Sequence, residues 1–286
     1  MPANLHPLVR RGLSGTGPVL LGIVLAVWTL LPLYSMLMMA LSPSSEVFEP
    51  HLWPEEPSAE AFHVVLTQGH FYVSEFWRQL GNSVLVAVMV TVLVLLVSSL
   101  ASYAIVRQRP RWGHLLANAA LASYVIPLSF LSIPLYNVIA VYGLLDTELA
   151  LIIGIVAFAA PYAIWVLGQH ANASLPPELD ESAKVDGASA WQIYFRIYLP
   201  LMSPAMVAVG SYAFLLSWNE YLLAFLLLSS EEKMTLPVAL ASFLNSDQPP
   251  WNVLMAAALL YTIPPVVIYY AFRKHMAEGL TAGGVK

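Results

Sequence analysis

Residues 174–200 read Ser174-Leu-Pro-Pro-Glu-Leu-Asp-Glu-Ser-Ala-Lys-Val-Asp-Gly187-Ala-Ser-Ala-Trp-Gln-Ile-Tyr-Phe-Arg-Ile-Tyr-Leu-Pro200. Pro176 and Pro177 suit a helix start, where a missing amide costs nothing. Glu178, Asp180 and Glu181 fall in the first turns, where the helix dipole favours acids. Gly187 is the residue type that ends helices in a left-handed conformation. Ser189 and Gln192 stand at capping-box spacing and start a second helix, which carries Trp191, Tyr194, Phe195 and Tyr198. The pattern predicts two short helices bent at Gly187. Small residues at Ser182, Ala183 and Ala188 leave a surface shallow enough for another body to approach closely. On these residues alone, the segment fits a docking element and an amphipathic connector at a membrane surface about equally well.

What flanks this segment sets the fold class. Six stretches, 18–41, 83–106, 114–137, 148–169, 201–228 and 252–272, are predominantly apolar, and each has the length of about 20 residues that hydrocarbon requires of a spanning helix. The chain of 286 residues is 59% hydrophobic and only 10% charged, with a mean hydropathy of +0.71, whereas a soluble domain carries roughly a quarter charged residues. The reading is an all-α membrane protein of six transmembrane helices. The third span is interrupted by Pro127 and Pro134 and is expected to kink, which neighbouring helices make tolerable. The fifth is long enough to tilt or to pass beyond the bilayer. The first follows Arg10 and Arg11; it is too long for a signal-peptide core and no clean cleavage site follows, so it is read as an uncleaved span.

The charges test this count independently. With the N-terminus inside, Arg10, Arg11, Arg107, Arg109, Arg111, Lys184, Arg196, Arg273, Lys274 and Lys286 are cytoplasmic, and only Arg78 and Lys233 of the twelve bases are outside. This is the bias that governs membrane orientation, and it places both termini in the cytoplasm. The whole chain, 1–286, reads as one transmembrane domain. It has an extracytoplasmic segment at 42–82, a cytoplasmic loop at 174–200 and a cytoplasmic tail at 273–286. Within the outer segment, Phe71, Tyr72, Phe76 and Trp77 suit an amphipathic piece lying at the interface or an ordinary connecting loop with interfacial aromatics.

Within that topology, Glu181-Ser-Ala-Lys-Val-Asp-Gly187 followed by Ile197-Tyr-Leu-Pro200 resembles the EAA signature of permease subunits in binding-protein-dependent ABC importers. That signature runs E-A-A, three residues, G, and later I-x-L-P. The chain departs from it at Ser182, which stands where the signature has its first alanine and is nearly as small. Ile126–Thr147, Trp218-Asn-Glu-Tyr221 and Gly279-Leu-Thr-Ala-Gly-Gly-Val-Lys286 are similar to the smaller, maltose-type permease of carbohydrate importers, so the likeness runs along most of the chain. The resemblance implies a type I ABC importer permease fold in a bacterial inner membrane. Implied partners are a second permease, two ATPase subunits and an extracytoplasmic solute-binding protein, and the implied solute is a sugar or sugar derivative. It further implies that Glu181, Ser182, Ala183, Asp186, Gly187, Ala188, Leu199 and Pro200 form the surface that docks on an ATPase subunit. In the same way, Gly279, Thr281, Gly283 and Gly284 would reach toward the ATPase pair.

The chain has no G-x-x-x-x-G-K-[ST] phosphate loop, the usual device for cradling ATP. ATP and magnesium are therefore expected on the partner ATPase subunits, no cofactor is expected on this chain, and no enzymatic activity is expected of it. Cysteine is absent, which removes disulfides, thiolate metal ligands and thiol catalysis. No His, Asp or Glu cluster has metal-ligand spacing. Apart from Glu148 at the outer boundary of the fourth stretch, Glu220 is the one acid inside an expected span, and such residues are functional candidates by default. It and Asn219 suit a gate or a helix-bonding role equally. Ser129, Ser132, Tyr136 and Asn137 offer the neutral hydroxyl and amide groups that bind sugars, although serines in spans more often serve helix packing. An ion-coupled secondary transporter is the alternative, and it would call for several buried acids or unwound helices at midplane. An intramembrane enzyme would call for a nucleophile and base at membrane depth, which the spacing does not supply.

Overall fold

The computed structural model describes residues 16–49 and 51–281, with backbone only for Thr16, His114 and 274–281. Arg10, Arg11, Gly283 and Gly284 lie outside the described residues. Among those described, every regular element is a helix. Contacts divide the chain into two units, one of residues up to Val73 with 243–260, the other of 74–242 with 261 onward.

In the first unit, α1 (Thr16–Leu41) is apolar around its whole circumference. Val19, Ile23, Trp28 and Leu30 are all exposed within the unit, so hydrocarbon or another chain must cover them. A short helix, α2 (Glu60–Leu66), buries Ala61 and Val65. Tyr72 stacks on Phe243 at 4.8 Å, and Phe48 meets Trp251 edge-on at 5.6 Å. Phe71–Val73 is a single 3-10 turn, and Phe76 and Trp77 begin the next long helix.

The second unit is built on three mutually packed helices, α3 (Phe76–Tyr103), α6 (Glu148–Ser174) and α9 (Leu199–Trp218). Buried positions recur every three or four residues on each: Val86, Val90 and Val94; Ile155, Ala159, Ala163 and Leu167; Met202, Ala205 and Val209. Lipid is as apolar as these side chains, so close packing, not burial from water, holds such helices together, and small residues permit it. A Cβ on Gly154 would lie 3.1 Å from Leu135, and one on Gly210 would lie 3.2 Å from Leu95. A side chain at either position would require that leucine to give by a few tenths of an ångström.

Three expected boundaries change. The third span is not merely kinked but broken, into α4 (Gly113–Ser123) and α5 (Leu128–Val141), with a bend of 99°. Pro127 takes an extended ψ of 139° and has no amide to continue the helix; Pro134 is absorbed inside α5. Among the described residues there are thus five continuous candidate spans, or six with the broken pair counted as one. The fifth span does not begin after Pro200 but runs unbroken from Ala190 to Trp218. It takes in the short helix α8 (Ala190–Ile193) and a π-turn, Tyr194–Tyr198, that accommodates the missing Pro200 amide. Nor does it reach residue 228. It stops at Trp218, and α10 (Leu222–Leu227) follows as a separate piece. The chain then passes through α11 (Leu236–Ser242) and α12 (Trp251–Tyr261) into α13 (Ile263–Thr281). This last helix includes Gly279 and Thr281, so the first part of the expected tail is helical.

Candidate functional site

The 174–200 segment folds as its local chemistry dictates. Pro177 caps α7 (Glu178–Val185), which has Glu178, Asp180 and Glu181 in its first turn. The Gly187 amide donates to the Lys184 carbonyl at 3.0 Å and the Ala188 amide to the Ala183 carbonyl at 2.9 Å. That pair of bonds is a Schellman closure, and it needs a left-handed residue; Gly187 supplies it with φ +82°. Ser189 and Gln192 then form the reciprocal capping box. The Gln192 amide donates to Ser189 Oγ at 3.3 Å, and the Ser189 amide donates to Gln192 Oε1 at 2.7 Å.

This bent pair of helices is pinned to one end of the bundle. Arg107, in the π-turn Ala104–Gln108 that closes α3, reaches Asp180 of α7 with Nε 3.2 Å from Oδ2. Its other arm donates to the Leu175 carbonyl at 3.2 Å. The two charged side chains are only 7% and 10% exposed. Nε is aimed off the hydrogen-bond line, so attraction between full charges carries this contact. Beside it, the rings of Tyr103, Tyr194 and Tyr198 meet at 5.1–5.9 Å. Each hydroxyl has a partner: Tyr103 donates to the Ala190 carbonyl, Tyr194 pairs with Ser99 and Tyr198 pairs with Ser102. Two π-turns thus face each other across one tyrosine cluster, and the loop is fixed to α3 rather than hanging from its ends.

The residues expected to dock divide accordingly. Ala183 and Ala188 are half-buried against the core and set the spacing of the loop. Glu181, Ser182, Asp186 and Gly187 point away from the bundle and are exposed. Beside them, Leu179, Val185 (88% exposed) and Trp191 present apolar surface to the outside, and a shallow cavity of about 260 Å³ opens between Gly187, Gln192 and Arg196. Leu199 and Pro200 lie within the continuous helix, on the bundle side of the loop. Asp180 was not among the expected site residues, yet it is the loop's anchor.

The expected path residues fall on two elements, α5 and the break between α9 and α10. Ser132 is buried and donates to the Ser129 carbonyl at 2.8 Å, a bond internal to its helix. Ser129, Tyr136 and Asn137 share an exposed stripe of α5. Glu220 sits in the break between α9 and α10, where its Oε1 accepts the Leu223 amide at 2.8 Å. Asn219 donates back to the Leu215 carbonyl at 2.8 Å, and the Tyr261 hydroxyl donates to the Trp218 carbonyl. These polar groups finish helix ends. At the opposite end of the unit from Arg107, Asp146 adopts φ +59°. Its carboxylate accepts the Ser229 and Ser230 amides and the Ser230 hydroxyl, and it pairs with Lys233 at 3.2 Å. The Ser230 bonds, then the Ser229 amide and Lys233, hold its pKa well below the usual carboxylate range. Arg78 pairs with Glu232 at this same end. Both bases that depart from the charge asymmetry are therefore matched to acids.

Apolar spans, one of them broken, with a bent loop fixed by a buried ion pair to the bundle's basic end, define a multi-pass membrane permease. Residues 95–281 match the family described as binding-protein-dependent transport system inner membrane component, and the chain belongs to it. It is 32% identical over 261 residues to the trehalose transport system permease protein SugB of Mycobacterium tuberculosis, covering 91% of this chain and 93% of that one. It is 30% identical over 259 residues to the arabinooligosaccharides transport system permease protein AraQ of Halalkalibacterium halodurans, covering 89% and 90% respectively. Its fold matches a chain in the crystal structure of a bacterial ABC transporter involved in the import of the acidic polysaccharide alginate. The TM-score is 0.75 at 24% identity, over 96% of this chain and all of that one.

Proposed function

We propose that this chain is one of two permeases forming the translocation path of an ATP-driven importer for a sugar or sugar-derived solute. Its N- and C-termini are cytoplasmic. An external binding protein delivers the solute, and two ATPase subunits carry ATP and magnesium. The observation that carries this reading is the loop at 174–200, which is pinned to α3 by Arg107–Asp180 and directs Glu181, Ser182, Asp186 and Gly187 outward. A surface pulled by an ATPase must be rigidly tied to the spans it is to move, and this one is. The sugar class is supported by the trehalose and arabinooligosaccharide permeases among the relatives. Nothing favours ion coupling: the acid at the helix break, Glu220, is engaged with its own chain.

The test is the assembled complex in proteoliposomes, bearing Glu181→Lys. Solute-stimulated ATP hydrolysis and uptake should fall at least about tenfold, a loss of roughly 1.4 kcal/mol or more in coupling, while the subunits still copurify. Normal stimulation and uptake in that variant would remove the coupling role.

A further inference from the structure

Along α6, Phe158, Tyr162, Trp165, Gln169 and Asn172 recur at intervals of four and three residues and therefore share one face. Tyr124, at the break between α4 and α5, stacks on Phe158 at 4.9 Å and on Tyr162 at 5.6 Å. Tyr162 leads on to Trp165 at 6.3 Å and to Tyr212 of α9 at 4.8 Å, and the Tyr124 and Tyr212 hydroxyls bond to each other. The four α6 and α4 aromatics are half-buried, each leaving part of its ring uncovered. A cavity of about 310 Å³ opens at the Tyr124–Phe158 end. A smaller one, about 40 Å³ and bordered by Asn118, Gln169 and Asn172, lies at the other end and has room for water. Among the described residues those three amide side chains make no hydrogen bond.

The exposed face of α3 has the opposite chemistry. Val84, Val88, Val92 and Leu96 lie along it, as hydrocarbon demands. Unsatisfied amides and tyrosine hydroxyls are costly against lipid, so the α6 stripe is built for something wet. Aromatic faces followed by neutral amides are what a carbohydrate meets in its binding sites: ring faces for its C–H surface, donors and acceptors for its hydroxyls.

We infer that the α6 stripe, with Tyr124 and Asn118, lines the translocation path and carries a neutral carbohydrate from a stacking subsite at Phe158–Tyr124 to an amide-lined mouth at Gln169–Asn172. The sugar class rests on the function proposed above; the wet lining does not.

The chain has no cysteine, so single thiols can be placed without background from it. Trp165→Cys, Gln169→Cys and Val92→Cys are introduced into the reconstituted complex and treated with a charged methanethiosulfonate. Gln169 is exposed and bonded to nothing, so its variant tests the idea even where Trp165→Cys fails to fold. The reactive species is the thiolate, which needs water, so labelling at 165 and 169 should exceed that at 92 by about tenfold. Equal rates overturn the inference. Trehalose, present during ATP turnover that it stimulates, should slow labelling at 165; unchanged labelling under that stimulation overturns the carbohydrate assignment. Failure of the importer reading would register separately, as a wild-type complex in the same vesicles whose ATP hydrolysis drives no uptake.

Discussion

Asp180→Asn is the perturbation that most sharply separates an anchored loop from one that merely rests on the bundle. Asparagine keeps the shape and removes the charge, leaving the Arg107 guanidinium, 7% exposed, buried with neutral acceptors alone, the Leu175 carbonyl and the new amide oxygen. Removing one partner of a buried pair costs about 3–5 kcal/mol. At 1.4 kcal/mol per factor of ten, that is a shift of roughly two to three and a half orders of magnitude in the balance between seated and released loop. Lys184 and Arg196 are exposed trypsin sites within the released segment. Where opening is fast, cleavage tracks the open population, so nicking at these sites should accelerate about a hundredfold or more. Replacing both partners, Arg107→Met with Asp180→Leu, removes the charges together and should recover most of the protection, because buried pairs are replaceable by apolar residues at little cost. The reasoning is refuted if Asp180→Asn is cleaved within about twofold of wild type, or if the double variant is as labile as the single one.

Gly187 supplies conformation, not space: its φ is +82°, and an added Cβ would meet nothing within 4 Å. Substitutions should therefore rank by backbone cost alone, with Gly187→Asn mildest, Gly187→Ala about 1–2 kcal/mol worse than wild type and Gly187→Val worst in thermal stability and coupled uptake; an Ala variant worse than Val would contradict this. The depressed pKa of Asp146 means that its carboxylate stabilises the fold above the unfolded carboxyl pKa of about 3.9 and loses that contribution only as pH falls through the lower folded value. Asp146→Asn should accordingly lower the melting temperature by the same amount at about pH 5 and pH 8, and a deficit that vanishes at pH 5 would refute the assignment.

How much was legible in the sequence follows from how local each feature is. The Schellman closure at Gly187 and the Ser189–Gln192 box involve residues within five positions of one another, and spacing alone located both. Arg107–Asp180 spans 73 positions, as the two residue numbers give. In the sequence Arg107 is one of ten cytoplasmic bases and Asp180 one of three acids favouring a helix dipole; only the folded chain reveals that they pair. The apolar run through 228 concealed the end of α9 at Trp218, where the Tyr261 hydroxyl meets the last carbonyl and Glu220 begins the next helix. Two prolines looked equivalent in the third span, yet Pro127 breaks it and Pro134 does not, because neighbours decide whether freed carbonyls are satisfied. The stripe at 158, 162, 165, 169 and 172 was present as a helical period but lay unmarked within an apolar stretch.

The most direct test is to place a single cysteine at Val185, 88% exposed on the bent loop, and to treat the assembled complex with a bifunctional thiol–amine cross-linker. The adduct should join this chain to an ATPase subunit, form from the cytoplasmic side only, and change in yield when ATP is bound. Labelling of the same cysteine by an impermeant reagent applied outside intact cells, or an assembled complex in which it links to no ATPase, would contradict the coupling role.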